Sequence, residues 1–270
     1  MSNLSITPGA NNVGAYINDI DLNNLEQVHI DEIKNTLSQY GVIFIKKQNL
    51  DPEAYQNFAK NIGHPVVYPR LKGLGEKFPF INVIERKPED KNLSFGSSWL
   101  HQDTSYLAKD RPRYTMLMGI EIPVGQGNTI FSSGFNAYEK LPNEIKDKIK
   151  NATGIFSSAG PIAVTRLERE KEMGIKSSES MQAEHEIVKT VNNKKTLYIS
   201  PGHLMKIKNV DDRDANYLKN YLIEHVNKKE FIFSYEWSKG DICLWDNLSI
   251  LHMASEIKNC KRIMHRITMK

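Results

Sequence analysis

The stretch GDICLWDNLSILH, residues 240–252, holds a turn at Gly240-Asp241, an apolar run from Ile242 to Trp245, a polar break at Asp246-Asn247 and a further apolar stretch ending in His252. A four-residue apolar run bounded by turn signals is the pattern of a short buried strand. The same pattern recurs on both sides of it. Residues 231–235 and 262–269 read as strands, and residues 187–191 and 196–200 flank Asn192-Asn193 as a hairpin. Residues 114–120 and 128–131 are strands separated by the turn-like Pro123-Val124-Gly125-Gln126-Gly127. Short strands with helices around them predict a mainly β fold with peripheral helices, built on an antiparallel sandwich or barrel.

Toward the N-terminus the periodicity changes. Ile30, Ile33 and Leu37 recur at helical spacing, and the helix stops at Gly41 before the buried strand Val42-Ile43-Phe44-Ile45. Asp51 caps a second helix with Pro52 in its first turn and Tyr55, Phe58, Ala59 and Ile62 as its apolar stripe. Residues 63–98 are loop-rich, with a strand at 80–84. One helix is expected over residues 137–151 and another over 215–226, the latter striped by Ala215, Leu218, Leu222 and Val226. Residues 154–184 combine Ser157-Ser158, Gly160-Pro161 and Ser177-Ser178 with the charged run LEREKE, the composition of a mobile surface insertion or lid. No internal repeat or interdomain linker divides the chain, so residues 1–270 read as one domain.

Composition excludes several classes of function. With 40% hydrophobic and 25% charged residues and a mean hydropathy of −0.49, the chain has an ordinary globular make-up. No apolar run approaches the roughly 18 residues of a membrane span, and the first residues lack the basic start and apolar core of a secretory signal. A cytoplasmic protein with no membrane partner is expected. The 36 Lys+Arg against 32 Asp+Glu leave a charge of +4 that is scattered, not gathered into the basic stripe of a nucleic-acid binder. Cys243 and Cys260 are too few for a disulfide framework or a four-cysteine zinc site and read as small buried hydrophobes.

Of the eight histidines, His29 and His225 fall on expected helices beside charged neighbours and read as solvated, while His64, His185 and His265 read as structural. Trp99 and Trp245 read as core aromatics. The segment WLHQDT, residues 99–104, is different. In an extended strand His101 and Asp103 project from one face and present an imidazole and a carboxylate to a common point, a donor set that Fe(II) accepts. Alone, His-x-Asp is a weak signal. His252 supplies a third donor if a closed sheet brings its strand beside the first. Two histidines and one carboxylate would then cover one face of a metal and leave positions open for a cosubstrate and oxygen. In RIMHRITM, residues 262–269, Arg262, Met264, Arg266 and Thr268 share one face. The two arginines stand roughly 13 Å apart, too far to clamp one small carboxylate and well placed to hold two anions. The plainer alternative pairs both with surface acids.

Together these segments resemble the taurine dioxygenase and 2,4-dichlorophenoxyacetate dioxygenase family of Fe(II)- and 2-oxoglutarate-dependent oxygenases. The resemblance runs from residues 41–45 through Gly63-His64-Pro65, residues 99–103, Gly127-Asn128-Thr129 and residues 240–247 to residues 262–266. It implies a double-stranded β-helix, or jelly roll. It also implies that His101, Asp103 and His252 bind iron, that Thr129 and Arg262 bind the distal carboxylate of 2-oxoglutarate, and that Arg266 takes the acidic group of the prime substrate. Oxygen as the second cosubstrate, release of succinate and carbon dioxide, and a homodimer or homotetramer follow from the same resemblance.

The substrate pocket matches the taurine enzymes only in part. Tyr68 matches one of their pocket tyrosines, whereas Pro65 and Ser97 stand where they carry a histidine and an asparagine, and His203 occupies an aromatic position. Arg266, Tyr68, Ser97 and His203 are the candidate substrate residues, with His203 equally readable as a turn cap and Tyr106 left undecided. Losing polar partners for an amine while keeping the anion anchor predicts a small organic anion, a sulfonate or carboxylate, that need not carry an amine. Two readings compete: a noncatalytic jelly roll that senses metal or 2-oxoglutarate without turnover, and a structural zinc site, which usually closes with four protein ligands.

Overall fold

In the computed structural model, which describes residues 4–68, 71, 73–163, 167 and 180–270, the elements run β1 (Ser5–Pro8), β2 (Ala15–Asn18), α1 (Gln27–Tyr40), β3 (Val42–Ile45), α2 (Pro52–Ile62), β4 (Pro65–Val66), β5 (Asn82–Arg86), β6 (Tyr114–Glu121) and β7 (Thr129–Ser133). They continue with α3 (Gly134–Glu139), α4 (Asn143–Ile149), β8 (Thr153–Ser157), β9 (Gln182–Glu186), β10 (Val188–Val191), β11 (Lys194–Leu197) and β12 (Leu204–Lys208). The last are α5 (Asp212–Val226), β13 (Ile232–Tyr235), β14 (Ile242–Asp246), β15 (Ile250–Ala254) and β16 (Arg262–Met269).

The long sheet has the order β1-β2-β3-β14-β6-β16-β4, with β5 also paired to β16. A second sheet, β13-β7-β15, shares a core with it through Phe44, Phe131, Tyr235, Trp245, Ile250 and Met264. Apart from the parallel β2–β3 pair, the strand pairings among the described residues are antiparallel. This is the double-stranded β-helix expected from the sequence, with its two sheets packed face to face. Residues 153–157, 182–186 and 204–208 form a further three-stranded sheet, and β10 and β11 a hairpin turning at Asn192-Asn193.

Strand β3 shows why its sequence is an unbroken apolar run. Val42 and Phe44 enter the core between the sheets, while Ile43 and Ile45 pack against Ile33, Leu37, Tyr55 and Phe58 of α1 and α2. A strand buried on both faces has no polar face to alternate with, and each such side chain contributes roughly 1.5–3 kcal/mol. The α1–β3 junction turns at Gly41, whose φ of +77° places it in the left-handed region and whose N–H bonds to the Leu37 carbonyl. Asp51 caps α2 by accepting from the Ala54 N–H at 2.8 Å. On the outer side of the smaller sheet, Leu218, Leu222 and Val226 of α5 pack with Ile145, Ile149 and Leu251.

Several expectations are corrected. The helix over 137–151 is two helices, because Pro142 offers no N–H and pushes Leu141 out of helical backbone; α3 ends before it and α4 starts after it. His225 is not solvated: it lies one heptad beyond Leu218 on the core side of α5, 2% exposed, and its Nε2 donates to the Ala137 carbonyl at 2.8 Å. Trp99 is 40% exposed and not a core residue, unlike Trp245. The ends of the 154–184 stretch belong to β8 and β9, which pair with each other, and its middle, 164–166 and 168–179, lies outside the described residues. Strands β1, β2, β8, β9 and β12 were not legible from periodicity. Among the described residues no helix is long and apolar enough to cross a membrane.

Candidate active site

The two sequence-distant ligand segments meet through backbone pairing. His101 and His252 form an antiparallel bridge in which each N–H donates to the other's carbonyl, at 2.9 and 2.8 Å. The extended strand expected over this segment is reduced to that one bridge, with Asp103 in the turn that follows it, and the ligand atoms of His101, Asp103 and His252 still lie within 4.8 Å of one another in a buried cluster. Among the described residues no fourth His, Cys, Asp or Glu joins this group, which is the open face of a catalytic site, not the closed set of structural zinc. His101 Nδ1 donates to the Trp99 carbonyl at 3.0 Å, which leaves Nε2 with its lone pair.

Behind Asp103 stands a polar network that the sequence reading did not identify. Its Oδ2 accepts from the Thr115 hydroxyl at 2.6 Å, and its N–H donates to Asn247 Oδ1 at 3.2 Å. Asn247 in turn donates to Thr115 Oγ1 at 2.8 Å and accepts from Trp245 Nε1 at 3.0 Å. The available signal was the polar break at Asp246-Asn247 between two buried strands. Burial opposes the charge on Asp103, but Arg266, His252, His101 and the Thr115 hydroxyl outweigh it and hold the carboxyl well below the usual range. Burial pushes His101 and His252 down, so both rings are neutral ligands near pH 7.

Two chambers open on this cluster, and His101, Asp103, Arg266, Phe95 and Gly96 border both. One, of about 450 Å³, also contains His252, Thr129 and Arg262. Arg262 Nε and Nη2 are buried with no hydrogen-bond partner among the described residues, and burial lowers its pKa to about 10. A buried guanidinium in that state calls for an anion. Thr129 Oγ1 accepts from Trp237 Nε1 at 3.0 Å, so its own hydrogen remains to be given to an acceptor. Gly127, at φ +77°, lets Arg262 take this position: a Cβ there would stand 2.9 Å from Arg262 Cδ. This chamber fits the distal carboxylate of a dicarboxylic oxoacid whose other end reaches the metal ligands.

The other chamber, of about 480 Å³, contains Tyr68, Tyr106 and His203. The Arg266 guanidinium lies 5.1 Å from the centre of the Tyr68 ring, and its Nη2 is 2.9 Å from Asp103 Oδ1. The His203 ring meets Tyr106 edge-on at 5.1 Å. Ser97 differs from the other candidates: it is fully buried, its hydroxyl donates to Glu256 Oε1 at 2.6 Å, and it borders neither chamber. Phe95, Thr104, Ser158 and Ile162 also border this second chamber, and no spacing in the sequence marked them.

The chain is 26% identical over 279 aligned residues to an alpha-ketoglutarate-dependent sulfate ester dioxygenase of Pseudomonas putida, covering 98% of this chain and 89% of that protein. It is 27% identical over 269 residues to an alkylsulfatase of Acinetobacter baylyi, covering 95% and 82%. The crystal structure of a taurine dioxygenase from Burkholderia xenovorans superimposes with a TM-score of 0.80 at 24% identity, covering 99% of this chain and 91% of the other, and shows the shared fold. The family model described as "Taurine catabolism dioxygenase TauD, TfdA family" matches residues 5–268, and the chain belongs to that family.

Proposed function

We propose that the protein is an Fe(II)- and 2-oxoglutarate-dependent dioxygenase that hydroxylates a small organic anion of the sulfonate or sulfate ester class. The observation that carries this reading is the buried His101–Asp103–His252 face opening into two chambers, one of them ending in an arginine with unpaired N–H groups. Relatives named for sulfate ester and alkyl sulfate substrates support the substrate class.

In this reading His101 Nε2, Asp103 Oδ1 and His252 Nε2 hold the iron, and Thr115 and Asn247 orient Asp103 toward it. Iron with the bound oxoacid would supply the oxidising power by which oxygen, 2-oxoglutarate and the prime substrate give succinate, carbon dioxide and hydroxylated substrate. Arg262 and Thr129 bind the distal carboxylate of 2-oxoglutarate and so fix which end of it faces the metal. Arg266 holds the anionic head of the prime substrate, and the Tyr68 ring keeps the guanidinium in place. Arg262 and Arg266 are themselves buried, 6% and 4% exposed, which strengthens both anion contacts. The test is succinate release from 2-oxoglutarate in the presence of small sulfonates and sulfate esters. Release stimulated by one of them, with matching loss of that compound, is expected; no stimulation across the class contradicts the substrate assignment.

A further inference from the structure

Thr104 directly follows Asp103 and lies in the turn that carries the chain away from the metal cluster. Its φ is +46°, in the left-handed region, which a β-branched residue rarely occupies because its Cβ crowds the backbone. Such a conformation persists only where the surroundings impose it, and here the chain is tied down on both sides of the residue. On one side the Gln102 N–H donates to Ser200 Oγ at 3.0 Å and the Asp103 N–H to Asn247 Oδ1 at 3.2 Å. On the other, Ser105 Oγ donates to Ser200 Oγ at 3.1 Å and the Ser105 carbonyl accepts from His185 Nε2 at 2.9 Å. The Leu107 N–H closes the turn by donating to the Thr104 carbonyl at 2.8 Å.

The Thr104 hydroxyl stands outside this network. The residue is 5% exposed, and its Oγ1 is buried with no hydrogen-bond partner among the described residues. An unpaired buried hydroxyl is destabilising, and valine has the same shape without it, so packing gives no reason for threonine here. Position gives one: Thr104 borders the same chamber as Arg266. Arg266 Nε and Nη2, one edge of the guanidinium, are likewise buried without a hydrogen-bond partner among the described residues, Nη2 meeting Asp103 Oδ1 only as an ion pair at 2.9 Å. Two polar side chains that the protein leaves unsatisfied thus border one chamber.

We propose that the Thr104 hydroxyl is a second anchor for the prime substrate, donating to an oxygen of the anionic head that Arg266 leaves over and so favouring a tetrahedral sulfur oxyanion over a carboxylate. This rests on the proposed function, because it assigns specificity within that substrate chamber. A planar carboxylate places both its oxygens on the guanidinium edge. A sulfonate or sulfate ester keeps a third oxygen, for which the Thr104 O–H is a donor. The strained turn and the unpaired hydroxyl belong together in this reading: the backbone holds the donor in place before the substrate arrives.

Two measurements on the full chain test this. Thermal unfolding of the metal-free protein reads whether the hydroxyl is bonded within the protein. Thr104→Val should unfold at the wild-type temperature or above it, and a clearly lower unfolding temperature overturns the proposal. In the anaerobic Fe(II)·2-oxoglutarate protein, binding of propane-1-sulfonate, propyl sulfate and butanoate is read from the shift of the visible chelate band. Thr104→Val should weaken the sulfonate and sulfate by about tenfold or more while leaving butanoate within about threefold, and Thr104→Ser, which keeps the hydroxyl, should bind all three within about threefold of the wild type. Equal effects of Thr104→Val on all three probes, or no tetrahedral probe binding to the wild type, overturn the proposal. Absence of the chelate band itself contradicts the proposed function instead, and the unfolding measurement is independent of it.

Discussion

Arg266 Nη2 stands 2.9 Å from Asp103 Oδ1, and that same carboxylate oxygen faces His252 Nε2 at 3.9 Å. The arginine proposed to anchor the substrate and the side chains proposed to hold iron therefore meet at one carboxylate oxygen. A divalent cation drawn to Oδ1 competes with the guanidinium for it, and an arginine drawn off Oδ1 is available to a substrate anion. The expected consequence is that Arg266→Met binds Fe(II) at least as tightly as the wild type while binding of a small sulfonate or sulfate ester weakens by about thirtyfold or more. Calorimetric titration of each ligand checks both halves, and a variant that loses iron would mean that Arg266 supports the metal site and does not compete with it.

Thr115 is predicted to act on the cluster through Asp103 and through Asn247, which also holds Asp103. Its hydroxyl donates to Asp103 Oδ2 at 2.6 Å and accepts from Asn247 Nδ2 at 2.8 Å, so Thr115→Val removes both hydrogen bonds without changing the side chain's shape. Iron affinity should fall by about 10- to 100-fold, the usual effect of losing such a partner, with 2-oxoglutarate affinity of the iron-loaded protein little changed. Unchanged iron affinity would remove the network behind Asp103 from the account.

Arg262 and Gly127 give a paired prediction for the cosubstrate chamber. Arg262→Met should raise the dissociation constant for 2-oxoglutarate by about 100-fold or more, and Arg262→Lys should recover it only in part because an ammonium cannot make the bidentate contact. Gly127→Ala, which touches no cosubstrate, should weaken 2-oxoglutarate as well, since its Cβ would displace Arg262 and strain a residue at φ +77°. Full 2-oxoglutarate affinity in both Arg262→Met and Gly127→Ala would place the distal carboxylate elsewhere.

His185 ties acid stability to the segment that follows Asp103. Its Nε2 donates to the carbonyls of Ser105 and Leu107 at 2.9 and 3.1 Å. Burial first, then Arg111 and Lys189, push its pKa down to about 4. Because this lies below the unfolded value of 6.5, the unfolded chain takes up the proton first as pH falls. The contribution of His185 is thus complete above pH 6.5 and is lost as pH falls toward 4. Denaturant unfolding at pH 7 and pH 4.5 should show the wild type losing about 2 kcal/mol more than His185→Gln between the two. Equal losses would mean that His185 does not titrate with folding.

What could be read in the sequence divides along physical lines. The face shared by Arg262 and Arg266 follows from side-chain alternation, which the structure keeps in β16, whereas His101 and Asp103 come together with His252 through one isolated bridge and the turn after it, not through an extended strand. Strands β3, β6 and β14 were legible because they are apolar runs buried in the sheet core, and β16 because its residues alternate between two faces. Strands β9 and β12, with sequences QAEHE and LMKIK, carry exposed charges on one face and are held by pairing with β8 rather than by their own composition. His225 was misread because charged neighbours outweighed its place on the core side of α5. Asn247 and Thr115 were missed because single polar residues in apolar strands resemble interruptions until their partners are seen. Ser97 was singled out by position relative to the ligands, but its hydroxyl is taken by Glu256.

The central claim is that His101, Asp103 and His252 hold iron facing a chamber in which Arg262 anchors 2-oxoglutarate, and anaerobic titration of Fe(II) and then 2-oxoglutarate into the apoprotein tests it most directly. The account predicts a weak visible charge-transfer band that requires both ligands, is absent in His252→Ala despite a retained fold, and in Arg262→Met forms only at much higher 2-oxoglutarate. Folded wild-type protein that binds Fe(II) yet gives no band at saturating 2-oxoglutarate would contradict it.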